Sequence, residues 1–120
     1  MSWVHHDVSL LTEHDVYLFK EGSHFRLYEK LGSHPMERQG ESGTLFAVWA
    51  PNAREVSVIG DFNGWNGGLH RLAPRSDSSG VWEGFIPGVG EGAAYKYHIV
   101  SNFGHAADKA DPFARASEWP

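Results

Sequence analysis

The feature that most constrains the fold is a series of four short apolar runs separated by turn signals. The runs read TLFAVWA, REVSVIG, GVWEGFIPG and AAYKYHIV, and they are rich in Val, Ile and aromatic residues. Gly, Pro, Asn or Asp bound them, as in PNA, NGWNGG, RSDSSG and GVGEG. Because no stretch between the runs is long enough for the crossover helix of a parallel sheet, we expect antiparallel pairing. The sequence therefore predicts an all-β fold, a small immunoglobulin-like antiparallel β-sandwich.

Alternation along these runs assigns side chains to faces of the sheets. In AAYKYHIV, Tyr95, Tyr97 and Ile99 fall on one side, and Lys96 and His98 fall on the other. We expect the rings to face the core and Lys96 to present a free ammonium at the surface.

Two tryptophans fall within predicted strands. TLFAVWA is apolar on both faces, which is typical of a central strand covered on both sides, so we expect Trp49 to pack. Trp82 alternates with Gly84 and Ile86, which predicts a core position. Trp3 and Trp119 lie in the terminal segments, where an indole often marks an interface with another domain.

The two ends of the chain differ from the strand region. Residues 9–22, SLLTEHDVYLFKEG, space apolar residues loosely at helical intervals, with Thr12 and Asp15 as a capping box and Gly22 as a stop. They predict a short N-terminal helix followed by a connector. The end, DKADPFARASEWP, reads as an extended C-terminal segment because Pro112 and Pro120 disfavour helix before them.

Composition excludes several functional classes. The chain has 120 residues, one domain in size, with 10 basic and 15 acidic residues and a formal charge of −5. With no basic block, a nucleic-acid partner is not expected. The chain has no cysteine, which rules out disulfides and Cys-based zinc sites and is compatible with a reducing compartment. Without a long apolar run or a signal peptide, we expect no membrane partner and a cytoplasmic location.

The histidines and the glycine-rich stretch GDFNGWNGG do not predict a metal or a cofactor. His5, His6 and His14 lack metal-ligand spacing and are interpreted as surface residues of the tail. The glycine-rich stretch has neither the GK[ST] ending of a phosphate loop nor the distal ligands of a calcium loop, although Asp61 and Asn63 are spaced as in one.

The segment from Leu45 to Trp65, LFAVWAPNAREVSVIGDFNGW, resembles the family-48 carbohydrate-binding modules. VWAPNA, VSVIG and GDFNGW occur in the order of that family, followed by GVWEGFIPG, YKY and DPFA. The preceding FRLYEKLGSHP resembles the lead-in of 1,4-α-glucan (glycogen) branching enzymes. The resemblance implies an N-terminal helix and connector over residues 1–42, the module over 43–114, and the start of a linker to a catalytic barrel over 115–120.

The resemblance implies that the chain is a non-catalytic fragment. Branching enzymes transfer α-1,4-glucan segments to 6-hydroxyls, using carboxylates of the barrel through a covalent glycosyl intermediate. None of those barrel motifs is present here, and we expect no catalytic residue. The expected partners are α-glucan, bound weakly, and the enzyme's own catalytic barrel. The alternatives are a purely structural or interaction domain, or the glycogen-binding module of another α-glucan-active protein.

The predicted sugar site follows from the chemistry of a pyranose. One face of the ring is apolar and stacks on an aromatic side chain, and its hydroxyls need polar partners. Trp65 matches the family's stacking tryptophan, Lys96 matches its YK lysine, and Asn63 or Asn66 could supply an amide. Where the family has a second tryptophan, this chain offers only Phe103, which predicts weak, roughly millimolar binding. The alternative is that Trp65 packs on the sandwich or the barrel; Phe62 is expected in the core either way.

Overall fold

A computed structural model of the chain describes residues 4–6, 9–12, 15, 17, 31–77, 79–90 and 92–111. Within them the chain forms seven strands: β1 (Gly32–Arg38), β2 (Glu41–Trp49), β3 (Ala53–Gly60), β4 (Ala73–Pro74), β5 (Val81–Pro87), β6 (Tyr95–Ser101) and β7 (Ala106–Lys109). One sheet has the strand order β1-β2-β5-β4 and the other β3-β6-β7, and every neighbouring pair is antiparallel. The predicted all-β sandwich is confirmed.

The core lies between the two sheets, where alternating residues from both sides meet. It is formed chiefly by Phe46, Val48, Val56, Val58, Trp82, Ile86, Tyr95 and Tyr97. The period-two prediction for β6 is confirmed, because Tyr95 and Tyr97 are buried while Lys96 between them is exposed. Trp82 is also buried as predicted, and its indole N–H donates to the carbonyl of Ala50 at 3.1 Å.

A second apolar cluster covers the outer face of the four-stranded sheet. It consists of Leu11, Leu31, Ala47 and Val81, so residues before β1 pack on the side of β2 and β5 that faces away from the core. This explains why TLFAVWA is apolar on both faces. The exception is Trp49, which was predicted to pack but leaves 53% of its surface exposed at the end of β2.

The sandwich begins earlier than the predicted module boundary at residue 43. β1 lies in the predicted connector, yet it pairs with β2 along its whole length, from Gly32 opposite Ala47 to Arg38 opposite Glu41. Its sequence, GSHPMER, lacks the β-branched and aromatic residues that mark a strand. An edge strand tolerates Pro35 because one side of its backbone needs no partner.

The N-terminal segment runs beside β5. His5 exchanges two backbone hydrogen bonds with Phe85, of 2.8 and 2.9 Å, and His6 Nε2 lies 3.0 Å from the carbonyl of Arg71. Both histidines were interpreted as surface residues of a tail, but they are tied to the sheet. The physical reason is that β4 pairs with only two residues of β5, which leaves backbone groups of β5 open to another segment.

The predicted helix over residues 9–22 lies mostly outside the described residues, as do Trp3, His14 and Trp119. Asp15 and Tyr17, the described residues of its interior, are helical. The predicted capping pair is confirmed: Asp15 N donates to Thr12 Oγ1 at 3.1 Å, and Thr12 N donates to Asp15 Oδ2 at 3.0 Å.

The C-terminal part that the structure describes is extended, as predicted, and ends in a buried carboxylate. After β7, Asp111 is only 2% exposed, and its Oδ2 accepts hydrogen bonds from the hydroxyls of Tyr95 and Tyr97. Both tyrosine rings face the core, so their hydroxyls hold Asp111 and the segment after β7 against the sandwich.

Candidate functional site

The glycine-rich stretch forms a loop over residues 61–70, here called the Trp65 loop. It begins with one 3₁₀ turn, Asp61–Asn63, after which Gly64 and Trp65 both adopt left-handed backbone, with φ of 63° and 60°. Glycine adopts this conformation freely, but for a bulky residue such as tryptophan it is a genuine outlier. The conformation is held by Trp65 N, which donates to the carbonyl of Gly60 at 2.9 Å.

The Trp65 indole projects from this loop instead of joining the core. It is 42% exposed and belongs to neither apolar cluster of the described residues. Its Nε1 donates to Asp61 Oδ1 at 3.0 Å, which fixes the orientation of the ring. The ring therefore meets solvent in one defined orientation, as a stacking surface requires.

Asn63 belongs to the loop but points inward, and its side chain bonds to three different groups. Its Oδ1 accepts from Gly60 N at 3.0 Å, while its Nδ2 donates to the carbonyl of Val58 at 2.8 Å and lies 2.8 Å from His70 Nδ1. Phe62 packs against the core, as predicted, and its ring meets the edge of His70 with centroids 5.5 Å apart. Both amide hydrogens of Asn63 are thus used inside the protein.

Lys96 reaches the same corner of the molecule as the loop. It lies opposite Ile59 on β3, next to the pair formed by Gly60 and Tyr95, and Gly60 is the residue that binds Trp65 N. Strand spacing therefore puts the backbones of Lys96 and Trp65 on the order of 10 Å apart.

The loop also lies on the face to which Lys96 points. Ser57 Oγ donates to the carbonyl of Gly67 at 2.6 Å, and a Cβ added to Gly67 would be 2.6 Å from the ring of His98. Ser57, Lys96 and His98 share the outer face of their sheet by alternation. Among the residues that the structure describes, Lys96 has no ion-pair partner, so its ammonium is available to a ligand.

Asn66 supplies a second available donor in the exposed part of the loop. Its Oδ1 accepts from Gly68 N at 2.8 Å, which closes a tight turn. Its Nδ2 makes no hydrogen bond within the described part of the chain. The structure thus combines one fixed aromatic ring with one amide and one ammonium that remain free to bind a hydroxyl.

Phe103 is not brought to this corner. It lies in the turn between β6 and β7, beyond Ser101, whereas Lys96 is near the start of β6. Ser101 lies five residues further along β6 than Lys96, which is a distance of roughly 17 Å. The Phe103 ring is 88% exposed, so it is an accessible aromatic side chain at the opposite end of the sheet.

Near Phe103 the structure shows a cleft that the sequence did not predict, here called the Trp49 cleft. Its volume is about 390 Å³, and it is lined by Trp49, Pro51, Asn52, Ile99, His105 and Lys109, among others. The sequence predicts packing for Trp49 because its run, TLFAVWA, is apolar on both faces. The available signal was its position one residue before the turn PNA, where the strand leaves the sheet.

Burial lowers the pKa of His70, the last residue of the Trp65 loop, below its ordinary value of 6.5. No group of three His, Asp or Glu side chains within the described residues is arranged to hold a metal ion. The described residues also contain no helix of the length and apolar character needed to span a bilayer.

Known proteins resemble this chain in sequence and in fold. The 1,4-alpha-glucan branching enzyme GlgB of Aromatoleum aromaticum is 57% identical over 112 residues, which are 93% of this chain and 17% of that protein. GlgB of Gloeobacter violaceus is 53% identical over 110 residues, 92% of this chain and 15% of that protein. The chain therefore spans about a sixth of the length of these relatives.

A solved structure supports the fold. It is the catalytic module of the multi-modular glycogen-degrading pneumococcal virulence factor SpuA, matched with a TM-score of 0.52 and 23% identity over 83% of this chain and 14% of that chain. The sequence model of carbohydrate-binding module 48 (isoamylase N-terminal domain) matches residues 30–114. The chain belongs to the carbohydrate-binding module 48 family.

Proposed function

We propose that this chain is the non-catalytic module of a 1,4-α-glucan branching enzyme and that it contacts α-glucan through the Trp65 loop. The observation that carries the proposal is Trp65 itself, an exposed indole held in left-handed backbone. Such backbone costs about 1–3 kcal/mol and persists mainly where a site uses it. The identity to branching enzymes over nine-tenths of the chain supports the choice of parent enzyme.

The loop can bind a glucose unit with few groups. The apolar face of the pyranose stacks on the Trp65 ring, while Lys96 Nζ and Asn66 Nδ2 donate to its hydroxyls. Each contact contributes on the order of 1 kcal/mol net, so the affinity is roughly millimolar. Two further contacts with the glucan stay predictions. Asn63 would accept from a hydroxyl through the second lone pair of its Oδ1, and Phe103 would contact a glucan long enough to reach it.

In the whole enzyme a weak site is sufficient. A module tethered to a catalytic barrel raises the local concentration of polymer chains at that barrel. Transfer of α-1,4-glucan segments to 6-hydroxyls belongs to the barrel in this proposal. A cytoplasmic location remains part of the proposal, motivated by the absence of cysteine.

A titration of the isotope-labelled chain with maltoheptaose tests glucan binding. We expect amide and side-chain shifts at millimolar sugar to concentrate at the Trp65 indole, Lys96 and Asn66. Cellohexaose, a β-linked glucan of similar size, is the control and should shift these signals much less. Absence of any shift with maltoheptaose would contradict binding by this chain.

The Trp49 cleft favours a second role, contact with the rest of the enzyme. Trp49 leaves 53% of its surface exposed beside an open cleft, and large exposed aromatic side chains are typical of interfaces. Mixing this chain with a branching enzyme that lacks it tests this role. We expect association that Trp49→Ser weakens; no association would count against it.

A further inference from the structure

The orientation of the Asn63 amide follows from two backbone groups. Gly60 N is a donor, so the atom 3.0 Å from it must be the amide oxygen. The carbonyl of Val58 is an acceptor, so the atom 2.8 Å from it must be the amide nitrogen. A flipped amide would oppose donor to donor and oxygen to oxygen, so only one orientation is compatible with both contacts.

This orientation determines the state of His70. The second hydrogen of Asn63 Nδ2 points at His70 Nδ1, 2.8 Å away, so Nδ1 must accept. The imidazole is therefore neutral and carries its proton on Nε2. A proton added to Nδ1 would place an N–H group against the amide N–H, and Asn63 could not turn to relieve the conflict without losing its contacts with β3.

The surroundings of His70 disfavour its cation. The residue is 7% exposed, and burial lowers its pKa. Its ring meets Asn63 and Phe62, neither of which ionises. The ionisable side chains on the elements around it are Asp61, Arg54, Glu55, Arg71 and His6.

The two carboxylates among these groups have other partners. Asp61 accepts from the Trp65 indole, and Glu55 lies 3.8 Å from Arg71 in an ion pair. The ring of His6 contacts the backbone carbonyl of Arg71. No carboxylate on these elements bonds to the His70 ring, so nothing there compensates a positive charge.

We propose that Asn63 and His70 are positioning residues that hold the Trp65 loop in its glucan-binding conformation only while His70 is neutral. The inference rests on the proposed glucan binding by Trp65. Asn63 and Trp65 both bond to Gly60, one through its N–H and the other through its carbonyl. Release of Asn63 therefore loosens the residue that anchors Trp65.

The sign of the pH effect follows from the lowered pKa. Above the ordinary histidine pKa of about 6.5, His70 is neutral in both the ordered and the opened loop, and the ordering of the loop is at its greatest. As the pH falls below that value, the opened loop takes up a proton first. The ordered loop, and with it affinity for glucan, is lost as the pH falls through the lowered pKa of His70.

A variant pair tests this with maltoheptaose at about pH 8 and about pH 5.5. For the unaltered chain we expect affinity to fall about three- to tenfold at the lower pH. His70→Asn places an amide oxygen near the position of Nδ1, which keeps an acceptor that does not titrate, so its affinity should change less than about twofold. His98→Asn removes the other histidine that contacts the loop and should keep the full pH dependence. Loss of the pH dependence in His98→Asn but not in His70→Asn would overturn the proposal.

A measurement on the unaltered chain without sugar separates this inference from glucan binding. The ring nitrogen signals of His70 distinguish the two neutral tautomers, and we expect the proton on Nε2. Hydrogen-exchange protection of Gly60 N–H should fall as His70 becomes protonated. A proton on Nδ1, or unchanged protection, would refute the positioning role even if glucan binds. Absence of maltoheptaose binding at about pH 8 would instead refute the proposed function, while the tautomer and the protection would still decide the inference about the loop.

Discussion

The Trp65 loop and the Trp49 cleft lie at opposite ends of the β3-β6-β7 sheet, and both present aromatic side chains to solvent. Phe103, beside the cleft, is twice as exposed as Trp65, at 88% against 42%. The Trp65 ring, however, is fixed by a hydrogen bond to Asp61 and has Lys96 and Asn66 at the same corner, whereas the phenyl ring of Phe103 has no polar atom that could fix it. Exposure alone therefore does not make a binding site; a ring already held in its bound orientation loses less entropy on binding.

The largest difference between the two ends should appear in stability. Asn63→Ala leaves Gly60 N–H, the Val58 carbonyl and His70 Nδ1 without their partner, so we expect a loss of about 2 kcal/mol in the free energy of unfolding. Asn102→Ala, in the exposed turn beside Phe103, should change it by less than about 0.5 kcal/mol. Urea unfolding followed by fluorescence measures both values. Equal losses would mean that the Trp65 loop is no better anchored than an ordinary turn.

The next difference concerns glucan affinity. Trp65→Ala removes the stacking surface and should weaken maltoheptaose binding about tenfold, equivalent to about 1.4 kcal/mol. Phe103→Ala should change the affinity less than about twofold, because its ring lies at the far end of β6. Titration followed by amide shifts measures both variants. A larger loss of affinity in Phe103→Ala than in Trp65→Ala would indicate that the glucan binds at the Trp49 cleft instead.

The smallest difference separates two lysines of the same sheet. Lys96→Met keeps most of the side chain but removes the donor, so maltoheptaose binding should weaken about three- to fivefold. Lys109→Met makes the same change at the Trp49 cleft and should have no measurable effect. Because the sugar is uncharged, the loss in Lys96→Met should persist at high salt. An equal effect of the two variants would indicate a general effect of charge.

Period-two patterning predicted much of the fold. It did not predict the positions of residues whose structure depends on neighbouring segments. β1 was missed because GSHPMER lacks β-formers, and it is a strand only because β2 offers it an open edge. The prediction that Trp49 packs rests on a run that is apolar on both faces. Apolar character does not reveal where a strand leaves the sheet, and Trp49 lies at that point. The family resemblance identified Trp65 and Lys96 as candidate ligands, whereas His70 carried no sequence signal.

The sequence by itself determined the sandwich, the inward tyrosines of β6 and the outward Lys96, because these follow from local alternation and turn chemistry. Only the tertiary structure decided which groups meet: the Trp65 loop with the outer face that carries Lys96, Asn63 with His70, and Phe103 with the opposite end of the sheet. The physical reason is that a hydrogen bond depends on distance and direction, and these are established between segments only when the sheets pack together.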